Sequence, residues 1–186
     1  MERLKIQYGT SFAYPVYSMG SHVSAVPNHQ TLRETPLLTR ANTAYFGTFG
    51  YELNPLLLTE EEREEIKEQV AFYKEHRSLI RDGQFYRLLS PFEGNETAWM
   101  VVSPDQSEAL VGYYKVLATP NGRKHQTIRL SGLDEGRVYQ AEGREYYGDE
   151  LIQVGLPLPT EFNGANSKQA VRGGDFQSQV YYIKSR

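Results

Sequence analysis

MGSHVSAVPNHQT, residues Met19 to Thr31, reads as a buried strand running into a loop crowded with polar groups. The strand is expected over Val16–Ser24, flanked by Pro15 and Pro27, and Ser21, His22, Ser24, Asn28, His29 and Gln30 gather where it ends. In an α/β barrel, ligand-touching groups sit at such junctions, because the carboxyl ends of the strands and the loops that follow them make the active face.

Outward from that stretch the chain uses two patterns. Up to Gly83 the signals are helices, one strand and long loops; from Gln84 onward they are short alternating runs separated by Gly, Pro, Asn and Asp. The spacing of Ile66, Val70, Tyr73, Arg77 and Ile80 predicts a helix over Glu60–Asp82. Thr59 and Glu62 form a capping-box pair, Glu60, Glu61 and Glu62 suit the positive end of the helix dipole, and Gly83 ends it. Its charges pair at helical spacing, as in Glu60 with Arg63 and Glu64 with Lys67, so a solvated outer face accounts for them without a bound cation. A helix over Glu2–Tyr8 has no capping residue before it, which reads as a chain beginning inside a larger unit. A weaker helix over Thr39–Phe46 leads into a glycine-punctuated turn, Gly47–Gly50.

The second part is expected to hold strands at Gln84–Ser90, Thr97–Ser103, Ala109–Leu117, Gln126–Leu130, Val138–Ala141, Leu151–Val154 and Gln179–Lys184. Turn chemistry falls at Ser103-Pro104-Asp105, Pro120-Asn121-Gly122, Leu133 to Gly136 and Gly173-Gly174-Asp175, and the Pro-, Gly- and Asn-rich stretch Leu156–Gly174 reads as a long loop. That pattern points to an antiparallel sandwich or Greek-key sheet. Trp99, in an alternating run, is expected in the core rather than as an exposed sugar platform.

The 186 residues are 39% hydrophobic and 12% aromatic, enough for a packed core. A net charge of −3 from 20 basic and 23 acidic residues spread along the chain leaves no basic block for nucleic acid. There is no cysteine, so disulfides and thiolate metal sites are excluded and a reducing compartment is compatible. With no apolar run near the roughly 18 residues a spanning helix needs, a cytoplasmic location and no membrane partner are expected.

Candidate chemistry is sparse. Retaining glycoside hydrolysis needs two carboxyl groups about 5 Å apart, yet between Thr10 and Thr59 the carboxylates are Glu34 and Glu52 alone. No GxSxG elbow surrounds Ser11, Ser18, Ser21 or Ser24, and the glycine runs lack nucleotide-cradle spacing. His22 and His29 have no third ligand beside them, so no metal site is expected. Ser21 and His22 remain as candidates for a ligand-facing rim, by their place at the strand end.

The stretch Met19–Thr31, with RLKIQYGT at Arg3–Thr10, FGYEL at Phe49–Leu53, FYRLLSPFEGN at Phe85–Asn95 and GDFQS at Gly174–Ser178, resembles the C-terminal part of microbial α-galactosidases of glycoside hydrolase family 36. The resemblance implies an α+β chain in which 1–83 is the end of a (β/α)8 catalytic barrel, with its last strand and helices, and 84–186 an antiparallel β-sandwich domain. It also implies hydrolysis of terminal α-galactosides, such as melibiose and raffinose-type sugars, with no cofactor and no metal. The family's nucleophile stands in a KWD-type motif and its acid/base in an RxDxGM-type motif, and neither occurs here, so the chain alone is expected to be inactive. Its partners are then α-galactosides within a full enzyme, and the rest of such an enzyme or further copies of the chain. A carbohydrate-binding or interaction module without catalysis is the rival reading.

Overall fold

The computed structural model describes residues 2–119, 126–158 and 174–186. Helix α1 (Glu2–Thr10) is followed by a single 3-10 turn at Val16–Ser18 and by strand β1 (Gly20–Ser24). The strand therefore starts later than the apolar run from Val16 indicated; Pro15 and a hydrogen bond from Met19 N to Val16 O turn the chain first.

After β1 a loop leads to helix α2 (Leu37–Ala44), strand β2 (Thr48–Glu52) and helix α3 (Glu60–Asp82). β2 corrects the expected turn over Gly47–Gly50 and the expectation of one strand in this part. It runs parallel to β1, with Gly20 opposite Thr48, His22 opposite Gly50 and Ser24 opposite Glu52. Phe49 and Tyr51 pack inward against the helices while Thr48, Gly50 and Glu52 alternate to the other side. The glycines are there because of close neighbours rather than to reverse the chain. A Cβ on Gly47 would lie 2.7 Å from Ser21 Cβ and one on Gly50 would lie 3.3 Å from His22 Cδ2.

α3 begins as expected. Thr59 Oγ1 accepts from Glu62 N at 3.2 Å and Glu62 Oε2 accepts from Thr59 N at 2.9 Å, the reciprocal pair that satisfies two free amides. Its buried side, including Leu79 and Ile80, lies on the large sheet. That sheet has six antiparallel strands in the order β3 (Gln84–Leu89), β4 (Glu96–Val102), β5 (Glu108–Lys115), β10 (Gln177–Ser185), β7 (Val138–Ala141) and β8 (Arg144–Tyr147). β10 thus returns from the chain end to lie between β5 and β7. A two-strand ladder, β6 (Thr127–Ile128) with β9 (Leu156–Pro157), and the short helix α4 (Gly148–Gln153) cover one face; α1, α2 and α3 cover the other.

Burial on both faces explains the unbroken apolar run of β4. Ala98, Met100 and Val102 enter the cluster under β6 and α4, while Trp99 and Val101 enter the cluster under the helices. Trp99 is 0% exposed, as expected of a core residue, so its ring cannot serve as a sugar platform.

Two further expectations are corrected. The apolar run Leu151–Val154 belongs to the end of α4 and the turn after it, because Glu150 Oε2 accepts from Tyr147 N and only Leu151 of that run is fully buried. Leu156 and Pro157, expected in a loop, pair with Ile128 and Thr127. The turn at Pro120-Asn121-Gly122, Gly173 and most of the expected long loop lie outside the described residues. The Ser103–Ser107 reversal is present: Asp105 Oδ1 accepts from Ser103 Oγ, Ser107 Oγ and Ser107 N, which pushes its carboxyl down to about 2.

His76 sits where α3 meets the sheet, 6% exposed, with its ring 4.4 Å from Phe72 and 4.5 Å from Tyr182. Burial lowers its pKa, opposed by the carboxylates of Glu75 and Glu108. A group whose folded pKa lies below its unfolded value of about 6.5 stays neutral in the fold while the unfolded chain takes up a proton, so stability falls as pH drops below that value. The urea midpoint should therefore decline between neutral and mildly acidic pH, and less steeply in His76→Phe; equal slopes would remove His76 from the acid response.

Candidate functional site

β1 presents two different faces. Ser21 and Val23 are both 0% exposed and point toward the helices, whereas Gly20 and His22 are exposed on the other side. Thr48, Gly50 and Glu52 share that outer side by register, so β1 and β2 together form a small polar surface floored by glycine. The His22 imidazole lies across it. A Cβ on Gly20 would meet His22 Cε1 at 3.7 Å, and Glu52 Oε2 is 4.0 Å from His22 Nδ1. The side chains of His22 and Glu52 are 47% and 75% exposed, so the pair is open to solvent and to ligand.

The two sequence candidates are thus adjacent in chain and opposite in direction. Ser21 Oγ is buried with no hydrogen-bond partner among the described residues and packs beside Gly47, while His22 stands on the open face. Glu52, one of the two carboxylates between Thr10 and Thr59, completes that face. The signal that identifies it is the two-residue alternation Thr48, Gly50, Glu52 against Phe49, Tyr51, obscured by the glycines.

The loop between β1 and α2 is built by its own polar groups. Asn28 Oδ1 accepts from Gln30 N, Thr31 N and Thr31 Oγ1, and Asn28 N donates to Arg33 O at 2.9 Å. Arg40, on α2, ties both ends: its Nη1 donates to Ser24 O at 2.5 Å and its Nε to Thr35 O at 2.9 Å. Burial lowers the pKa of this guanidinium, and Glu62 and Glu65 oppose the shift. Sequence reading missed Arg40, since its role depends on the loop folding back over its own helix. Glu34 is exposed on the loop. Among the described residues no group of three or more His, Asp or Glu side chains is placed to hold a metal. No helix among them is long and apolar enough to cross a membrane.

In chemical terms the open face offers hydrogen-bond donors and acceptors and one carboxylate, since Glu52 is the sole acid in β1 and β2. That suffices to orient a hydroxyl-rich ligand, but a double displacement at a sugar carbon needs a second carboxyl group.

Comparison with known proteins gives matches to two family models. Residues 1–83 match the Melibiase family model and residues 96–183 match that of the glycosyl hydrolase family 36 C-terminal domain. The α-galactosidase AgaA of Geobacillus stearothermophilus is 52% identical over 186 residues, covering 100% of this chain and 24% of that one. The bifunctional α-galactosidase/sucrose kinase AgaSK of Mediterraneibacter gnavus is 50% identical over 161 residues, 86% of this chain and 17% of its own length. A crystal structure of AgaA in complex with raffinose superposes with a TM-score of 0.90 over 99% of this chain and 24% of that chain. The α-galactosidase of Lactobacillus brevis does so with a TM-score of 0.91 at 41% identity, over 100% of this chain and 25% of that one. The chain spans about a quarter of the length of AgaA and of the Lactobacillus brevis enzyme, and 17% of that of AgaSK. On this joint match of two family models and a shared fold, the chain belongs to glycoside hydrolase family 36 and corresponds to the C-terminal region of its α-galactosidases.

Proposed function

We propose that this chain works as the C-terminal part of a retaining α-galactosidase that hydrolyses terminal α-galactosides, such as melibiose and raffinose-type sugars, through a glycosyl-enzyme intermediate. In that reading residues 1–83 end the catalytic barrel and 84–186 form the β-domain packed on it. The observation that carries the proposal is the polar, glycine-floored face of β1 and β2, which the helices leave uncovered in a chain matched to family 36 at both ends. His22 faces the sugar from this surface with Glu52 beside it, and Ser21 supports the strand from behind by its contact at Gly47. The cysteine-free composition supports a cytoplasmic location.

The role of this part is positional. The nucleophile and acid/base come from elsewhere in the complete enzyme, since β1 and β2 bring only Glu52 to the face. The purified chain should therefore not hydrolyse a chromogenic α-galactoside that a full-length relative cleaves, and measurable turnover would overturn the proposal. In a full-length enzyme carrying this region, His22→Ala should raise KM about tenfold, the loss expected when one hydrogen bond to a sugar hydroxyl is removed. An unchanged KM would take His22 out of the sugar site.

A further inference from the structure

We infer that Asp175–Ser178, at the start of β10, is a clasp through which the C-terminal sheet positions the β1–α2 loop, making Phe176 and Ser178 positioning residues for the proposed sugar-facing surface; the inference rests on that reading of the surface.

The clasp joins segments far apart in sequence. Phe176 O accepts from Thr39 Oγ1 at 2.7 Å, across 137 residues. Ser178 Oγ donates to Thr39 Oγ1 at 3.0 Å and accepts from Asn42 Nδ2 at 2.9 Å. Thr39 and Asn42 are 3% and 5% exposed, so these bonds form away from water, where an unpaired partner is costly. On the sheet side, Phe176 N donates to Val116 O at 2.9 Å and Asp175 Oδ1 accepts from Ala118 N at 2.8 Å, which fixes the clasp to the chain just past β5, the neighbour of β10.

Two features exceed what packing α2 on β10 requires. Phe176 has φ 57°, a left-handed conformation that a bulky side chain adopts only where its surroundings hold it. That conformation accompanies a ring placed under a loop residue: the Arg33 guanidinium stands 5.7 Å from the ring centroid. Arg33 O in turn receives the Asn28 amide that closes the loop. From the clasp the path runs through α2 to Arg40, whose guanidinium holds Ser24 O and Thr35 O. The sheet is thereby connected to both ends of the loop and to the strand residue two positions after His22.

Hydrogen exchange on the purified chain reads this connection. In Phe176→Ala the amides of residues 25–36 should lose protection by about tenfold while those of β4 and β5 keep theirs, because the loss is local. Phe176→Tyr, which retains the ring, should behave as the parent. Unchanged protection in 25–36, or an equal fall in β4 and β5, would overturn the clasp. If Phe176→Ala does not fold, Arg33→Gln tests the same contact from the loop side with the sheet untouched, and the same two results decide it. In a full-length enzyme carrying this region, Phe176→Ala should raise KM about threefold with little change in kcat. Local loss of protection with KM unchanged would overturn the link to the sugar site. An unchanged KM in His22→Ala, with local loss in Phe176→Ala, would instead locate the failure in the sugar-facing reading.

Discussion

Trp99→Ala should be the most destabilising single substitution in β4, costing about 3–5 kcal/mol, the range for removing a large buried aromatic. Trp99 is 0% exposed and its ring meets Tyr114 at 4.9 Å, Phe46 at 5.8 Å and Phe85 at 6.2 Å between centroids. These neighbours belong to different elements: Tyr114 to β5, Phe85 to β3, and Phe46 to the connection between α2 and β2. Tyr114 Oη donates to Asn42 O at 2.7 Å, so the cavity would open beside the bond that fastens α2 to the sheet. Burial holds the Tyr114 phenol far from ionisation, and that bond persists at any pH of interest. Native stabilities run from about 5 to 15 kcal/mol, so a loss of this size leaves little or no folded protein near the lower end. Urea unfolding followed by far-UV circular dichroism is the measurement, because the chain's one tryptophan is the residue removed. A loss below about 1 kcal/mol would mean that the helical layer is held to the sheet by contacts other than this ring.

The reach of the sequence can be seen at individual positions. α3 was fully legible because its signals are local: a capping pair at its start, apolar residues at helical spacing, a glycine at its end. β4, β5, β7 and β10 were legible for the same reason, since alternation or continuous burial marks a strand without knowledge of its partner. β2 was not, because Gly47 and Gly50 look like turn residues until His22 and Ser21 are placed next to them. α4 was missed since a helix of six residues shows less than two turns of periodicity. At the site, the sequence located the strand end and the polar loop correctly, and it named Ser21 and His22 as one pair. It did not separate their directions, which depend on which side of β1 the helices take. Arg40, Phe176 and Ser178 carry no local signal, as each acts on a segment that only the folded chain brings near.

Gly47→Ala should cost about 1–3 kcal/mol, through overpacking rather than through backbone conformation. The added Cβ would stand 2.7 Å from Ser21 Cβ and 2.9 Å from Met19 O, and the second of these is backbone that cannot swing away. Met19 O is also the acceptor for Thr48 N at 2.8 Å, the hydrogen bond that starts the pairing of β1 with β2. Relief of the overlap must therefore move either Ser21 inward, where it is already fully buried, or the two strands apart. The second course shifts His22 relative to Gly50 and Glu52, so the substitution should weaken the polar face as well as the fold. Combining it with Ser21→Gly removes one of the two obstacles and leaves the other, and the pair should recover part but not all of the loss. A double-mutant cycle on urea midpoints measures this, and a favourable coupling of about 0.5 kcal/mol or more is expected for side chains in direct contact. Strict additivity would mean that Ser21 gives way to the methyl group freely, and that the contact at Gly47 does not set the spacing of the two strands.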